Sequence, residues 1–125
     1  MNPKKDNTPT LDGTGLGSAE KPLETYIMSI MDINTPKYRL RTPLIPIAVE
    51  EWSESDFVAH WHDVEAVGYG DDKWSAIDNL KQDIIDLYEN LRETDDSKLG
   101  QHPRRWKQIL AQVIEEVVNE ETESR

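Results

Sequence analysis

Residues 70–92 read GDDKWSAIDNLKQDIIDLYENLR and carry the clearest structural pattern of this chain. Large apolar residues recur there at steps of three and four, which places them on one face of an α-helix; they are Ile77, Leu80, Ile84, Leu87, Tyr88 and Leu91. Asp72 suits the N-cap position, because its carboxylate can accept free N–H groups of the first turn. The pattern predicts a helix from Lys73 to about Arg92 that covers one face of a sheet.

The sheet itself is predicted from the residues that precede this helix. In the segment 44–52, apolar residues alternate with others at Ile45, Ile47 and Val49, and the segment 57–62 continues the pattern after a polar turn. A third short strand over 64–69 would complete a meander. Pro46 lacks an N–H, which suggests an edge position or the start of a strand rather than the middle of a ladder.

Two further segments are less uniform in pattern. Residues 23–33 fit either a helix or a strand, with a slight preference for a strand. Pro103 suits the first turn of a second helix. The apolar stripe of that predicted helix consists of Trp106, Ile109, Leu110, Val113 and Val117.

These elements together predict an α+β fold with an antiparallel sheet of three or four strands, one long helix across it and a C-terminal helix. Residues 23–118 are expected to form this single domain. The polar segment 1–22 is expected to be a disordered tail, because it has little to bury. The acidic segment 119–125 is expected to fray.

The composition narrows the range of functions. The chain has 125 residues, with 25 acidic and 14 basic side chains and a net charge of −11. This charge makes direct DNA binding unfavourable and favours a basic protein partner. Because there are no cysteines, disulfides and cysteine-based sites are excluded. No apolar run is long enough to span a membrane, and we expect a cytoplasmic protein.

Three strands that lead into a capped amphipathic helix resemble the HicB-like antitoxin domain. Phe57-Val58-Ala59 matches the family's strand, Val67-Gly68-Tyr69-Gly70-Asp71 matches the approach to the helix, and Ala76 matches an alanine at the helix start. Asp72 takes the capping position, and Ser75 stands where the family usually has Glu. Many full-length members end in a DNA-binding module. One helix and an acidic tail are too little for such a module, so the resemblance is to a standalone domain.

This resemblance implies a degenerate ribonuclease H-like fold without catalytic carboxylates. It also implies frequent oligomers and, in some members, the occlusion of a small basic ribonuclease toxin. The leading hypothesis is therefore a non-catalytic, antitoxin-type binding domain. Its alternatives are a homo-oligomeric structural or regulatory module without a toxin partner and, remotely, a metal-dependent nuclease.

Candidate sites for chemistry are weak. His60 and His62 could share a strand face and bind a metal with Asp63 or Glu50, but a catalytic zinc needs about three protein ligands. A nuclease would need several converging carboxylates, and the candidates for such a cluster are Asp63, Glu65, Asp71 and Asp72. We predict no catalytic residue, no cofactor and no metal site, and hence no enzyme.

The predicted partner or oligomer interface combines outward aromatic residues with acids of the long helix, namely Trp52, Trp74, Asp83, Asp86 and Glu89. A basic cluster of Arg104, Arg105 and Lys107 opposes the dipole of the second helix, as do Glu115 and Glu116 at its other end. The cluster is either an anion patch for phosphate or RNA or, as we favour, it pairs with acids. The candidate acids are Asp83, Asp86, Glu89 and Glu93, or those of a second subunit.

Overall fold

The computed structural model describes residues 21–117 and shows an α+β fold, as predicted. Within these residues the strands are β1 (Glu24–Ile30), β2 (Tyr38–Leu40), β3 (Ile45–Ser53), β4 (Asp56–Trp61), β5 (Ala66–Gly70) and β6 (Ile114–Glu116). The helices are α1 (Lys73–Arg92) and α2 (Gln101–Val113). The predicted tails lie outside the described residues, apart from Lys21 and Pro22.

The main sheet is antiparallel and has the strand order β1-β3-β4-β5. Residues 23–33, which fitted two structures in the sequence, contribute β1, and Tyr26 of this strand pairs with Val49. The predicted hairpin and third strand are confirmed as β3, β4 and β5. The third strand begins at Ala66 because a turn of 3-10 helix precedes it and Glu65 adopts a φ of 56°.

Strand β3 lies inside the sheet, so of the two positions expected for Pro46 the start of a strand is confirmed and the edge position is not. Pro46 is the second residue of the strand and pairs with Ser29 of β1. Pairing with β4 begins only at Ala48. Because β3 has a single neighbour at Pro46, the missing N–H removes no ladder bond to β4.

Helix α1 has the predicted bounds and packs on one face of the sheet. The Asp72 carboxylate accepts a hydrogen bond from the Ser75 N–H at 2.8 Å, as expected for the N-cap. Gly68 lets the helix approach closely, since a Cβ there would lie 2.1 Å from the Leu80 backbone nitrogen. Deeply buried side chains between the two layers include Ile45, Val49, Ala59, Ala76, Leu80 and Ile84.

The C-terminal part of the chain differs from the prediction. Helix α2 ends at Val113, and the β-branched Ile114 begins β6, which pairs with β2 in a separate two-stranded sheet. Ile114 is buried in the core, so packing against other elements outweighs helix propensity here. Val117 and the two glutamates 115 and 116 therefore do not belong to the helix, contrary to the prediction.

Candidate protein-binding surface

The face of the sheet opposite α1 carries large exposed side chains. Alternation along the strands places on it Ile27, Ala48, Glu50, Val58, His60, Val67 and Tyr69, a set that we name the open face. Ile27 is 78% exposed and Tyr69 is 64% exposed. Ile27 lies on the edge strand β1 and Tyr69 on the edge strand β5, so each is a candidate contact residue at one edge of this face.

A polar cluster lies within the open face. The Glu50 carboxylate accepts hydrogen bonds from Trp52 Nε1 at 3.0 Å and contacts His60 Nε2 at 3.3 Å. The rings of His60 and His62 stack with centroids 4.9 Å apart and an angle of 8° between their planes. His62 belongs to the 3-10 turn after β4, not to the strand as the sequence suggested. Stacked parallel rings do not direct their nitrogens toward one point between them.

The carboxylates considered for a nuclease are likewise not gathered into a site. Among residues 21–117, no three His, Asp or Glu side chains come close enough to hold a metal ion. Asp72 is already engaged as the helix cap. Within the described residues, these carboxylates therefore do not form the metal cluster that such a nuclease would need.

An acidic groove borders the open face along β5. Asp83 Oδ2 accepts a hydrogen bond from the Val67 N–H at 3.0 Å, and Asn79 Nδ2 donates one to the Tyr69 carbonyl at 2.5 Å. A cavity of about 370 Å³ lies between the strand and α1. Its lining includes Tyr69, Asp83 and the exposed Asp86. The groove thus brings the two carboxylates of α1 to the same edge of the sheet as Tyr69.

The structure separates the other predicted interface residues. Glu89 lies on another flank of α1, where its carboxylate accepts a hydrogen bond from the Tyr38 hydroxyl at 2.6 Å and lies 3.5 Å from Lys37 Nζ. The tyrosine bond lowers the pKa of Glu89. Trp52 lies beside Glu50, and Trp74 is exposed at the start of α1. Only Asp83 and Asp86 of the five meet in one groove.

Sequence reasoning missed Ile27 and Tyr69, which are the most exposed large side chains of the open face. The signal was present, because each lies between two inward-facing residues of its strand. This alternation identifies an exposed residue only when it is known which face of the strand points toward the core. For β1 that face was not known, because residues 23–33 fitted a helix as well as a strand.

The basic cluster contacts the connector between the two helices. Lys107 Nζ donates to the Thr94 carbonyl and to Asp96 Oδ1, both at 2.7 Å, and this lysine lowers the pKa of Asp96. Arg104 donates to the Leu99 carbonyl at 3.0 Å, and Arg105 is exposed. Lys107 therefore pairs with Asp96 of the connector and not with the acids of α1 that the sequence suggested. The anion patch stays a prediction.

The described residues define a class of protein: an α+β domain with a helix on one face of the sheet and the exposed side chains of Ile27 and Tyr69 on the other. No helix of the described residues is long and apolar enough to cross a membrane. No protein-family model matches the sequence, and neither a curated protein nor a solved structure matches the chain. The resemblance to HicB-like domains stays a prediction.

Proposed function

We propose that this chain is a non-catalytic, HicB-like antitoxin-type binding domain that acts in the cytoplasm and occludes a small basic toxin protein. The observation that carries the proposal is the juxtaposition of exposed Tyr69 with the acidic groove of Asp83 and Asp86. An aromatic ring beside carboxylates suits a basic protein surface, because the ring supplies contact area and the acids supply complementary charge.

Charge also gives the proposal a mechanism. A ribonuclease must present cations to the phosphates of RNA. A domain with a net charge of −11 attracts such a surface at long range, and the groove then occupies the cations that RNA would use. Inhibition on this account is competition for a basic surface, and it requires no catalytic group in the inhibitor.

The test is a pull-down of the tagged full-length chain from the source organism, followed by titration of the purified partner. Tyr69→Ala is compared with Trp74→Ala, since the two aromatics are 64% and 65% exposed and only the first borders the groove. We expect a small basic protein to bind the wild type and Trp74→Ala alike. Tyr69→Ala should lose at least about tenfold in affinity, as for a central aromatic anchor.

Two results would contradict the proposal. One is a basic partner that binds Tyr69→Ala as tightly as the wild type, which would place its site elsewhere. The other is recovery of nothing except the chain itself, which would leave the alternative of a homo-oligomeric module without a toxin partner.

A further inference from the structure

We propose that two copies of this chain form a symmetric dimer in which the outer edges of their β1 strands pair antiparallel, with Ile27 at the two-fold axis. This pairing would join two four-stranded sheets into one. The inference goes beyond the proposed function, because it needs no toxin and rests on a different part of the molecule.

The first step concerns the direction of the backbone groups of β1. The Val67 N–H turns away from β4 toward Asp83, and groups along a strand alternate between its two sides. Following the registers across β4 and β3 then leaves the N–H and C=O groups of Thr25, Ile27 and Ser29 facing away from the sheet. Within residues 21–117 no strand pairs with this edge.

The second step concerns side chains. Ile27 is 78% exposed and lies at the middle of β1. An antiparallel pairing that sets Ile27 against its own copy sets Thr25 against Ser29 of the second copy. Leu23 and Met31 flank the strand and are 68% and 73% exposed. The Leu23 N–H bonds the Glu51 carbonyl at 2.7 Å, so the regular alternation of β1 does not extend to Leu23. The apolar Ile27 and the small polar pair of Thr25 and Ser29 are thus complementary to themselves.

The third step concerns charge and edge protection. Exposed edge strands usually carry lysine, proline or a bulge that prevents pairing. The sequence of β1, ETYIMSI, has no lysine or proline, and its register with β3 runs without a shift. Its only charged residue, Glu24, would lie opposite Ile30 of the second copy. The pairing therefore brings no acid directly against another, despite the net charge of −11 on each chain.

The size of the contact sets the expected affinity. A strand of seven residues is about 24 Å long, and its pairing covers less than the roughly 800 Å² per partner of a standard interface. We expect a dimer that dissociates in the micromolar range. Because the two-fold axis is perpendicular to the joined sheet, both open faces would lie on the same side.

Disulfide cross-linking tests the register directly, since the full-length chain has no cysteine. In Ile27→Cys the two Cα atoms should lie about 5.5 Å apart, within the span of a disulfide. In the control Ser29→Cys, on the same face of the same strand, the two copies lie about 14 Å apart along the strands. Mild oxidation should link Ile27→Cys at least about tenfold faster than Ser29→Cys. Equal rates would overturn the proposal.

Sedimentation velocity of the full-length chain gives a second measurement. The wild type should change from monomer to dimer between about 1 and about 500 µM, a range that brackets a micromolar dissociation constant. Ile27→Lys should stay monomeric with an unchanged circular dichroism spectrum, while Tyr69→Lys, on the other edge strand, should still dimerise. A wild type that stays monomeric throughout would overturn the proposal. Neither measurement uses the toxin, so failure here leaves the proposed function standing.

Discussion

The two edge strands of the main sheet, β5 and β1, differ in what bonds their outward backbone groups. At β5, α1 supplies side chains that bond the outward backbone groups, namely Asp83 to the Val67 N–H and Asn79 to the Tyr69 carbonyl. At β1, no strand of the described residues pairs with the outer edge. The exposed Ile27 lies at the middle of this edge. Within residues 21–117, the chain's own helix thus closes one edge, whereas no strand pairs with the other.

The width of a helix explains this difference. Helix α1 follows β5 after a short turn and so packs first against that strand. A helix is about 10 Å across, whereas the outer strands of a four-stranded sheet are about 14 Å apart. The helix therefore reaches β1 mainly through long side chains, such as Lys73, whose Nζ lies 4.2 Å from the centre of the Tyr26 ring.

The largest expected effect comes from moving α1 away from β5. In Gly68→Ala the new Cβ would lie 2.1 Å from Leu80 N and 2.4 Å from the Ala76 carbonyl oxygen. These are backbone atoms that cannot move aside alone, so the helix must shift. We expect a loss of about 3 kcal/mol or more in the free energy of unfolding, measured by urea denaturation.

Gly100→Ala is the matched control for this change. Its Cβ would meet only Pro103 Cδ, at 3.9 Å, an ordinary contact distance. Because Gly100 is the N-cap of α2, where Ala is disfavoured, we expect a loss of at most about 1 kcal/mol. Similar losses at Gly68 and Gly100 would show that the close contact between α1 and β5 is not what the glycine provides.

A smaller effect is expected from opening the β5 edge without moving the helix. Asp83→Ala leaves the outward Val67 N–H without its carboxylate acceptor, and we expect a cost of about 1 to 2 kcal/mol. Asp86→Ala removes an exposed acid three residues further on that bonds Gln82, and it should cost less than about 0.5 kcal/mol.

Amide hydrogen exchange extends this prediction to single residues. Exchange at Val67 should accelerate in Asp83→Ala and not in Asp86→Ala, because only Asp83 bonds that N–H. Unchanged protection of Val67 in Asp83→Ala would mean that the helix does not close this edge.

The sequence predicted the elements whose pattern is local and long. Helix α1 repeats its apolar residues over many turns, and β3 and β4 alternate clearly, so their structures match the prediction. Residues 23–33 fitted two structures because the choice depends on pairing with β3, a segment distant in the sequence. Strands β2 and β6 have only three residues each, which is too short for a periodic signal.

The candidate site shows a similar limit. Asp83 and Asp86 are about 60° apart around a helix, whereas Asp83 and Glu89 are about 120° apart, so the sequence could have separated Glu89 from the groove. It could not show that Tyr38, from another sheet, would bond Glu89. It also could not show which strands form the edges, since Pro46 lies on an inner strand at a position that pairs with β1 but not with β4.

The smallest expected effect concerns the polar contacts between α1 and the segment that follows β1, which contains Asp32 and Tyr38. Lys81 bonds Asp32 at 3.1 Å and lowers the pKa of that carboxyl, and the Tyr38 hydroxyl lowers the pKa of Glu89 below its usual value of 4.5. A depressed folded-state pKa adds stability that is complete above the unfolded-state pKa and is lost as the pH falls through the folded-state pKa. Acid should therefore loosen this side of α1, whereas the backbone bonds within the sheet should persist.

Glu89→Gln tests this attachment, because the amide can still accept the Tyr38 bond but does not titrate. At pH 7 the wild type should have a slightly higher urea midpoint than the variant. The difference should shrink as the pH falls through the lowered folded-state pKa of Glu89, because the carboxyl is then protonated in both states. Asp86→Asn, which removes an acid of α1 from the β5 side, should not reproduce this narrowing. A difference that stays constant as the pH is lowered until the wild type unfolds without urea would show that the Glu89 charge does not hold this side of α1.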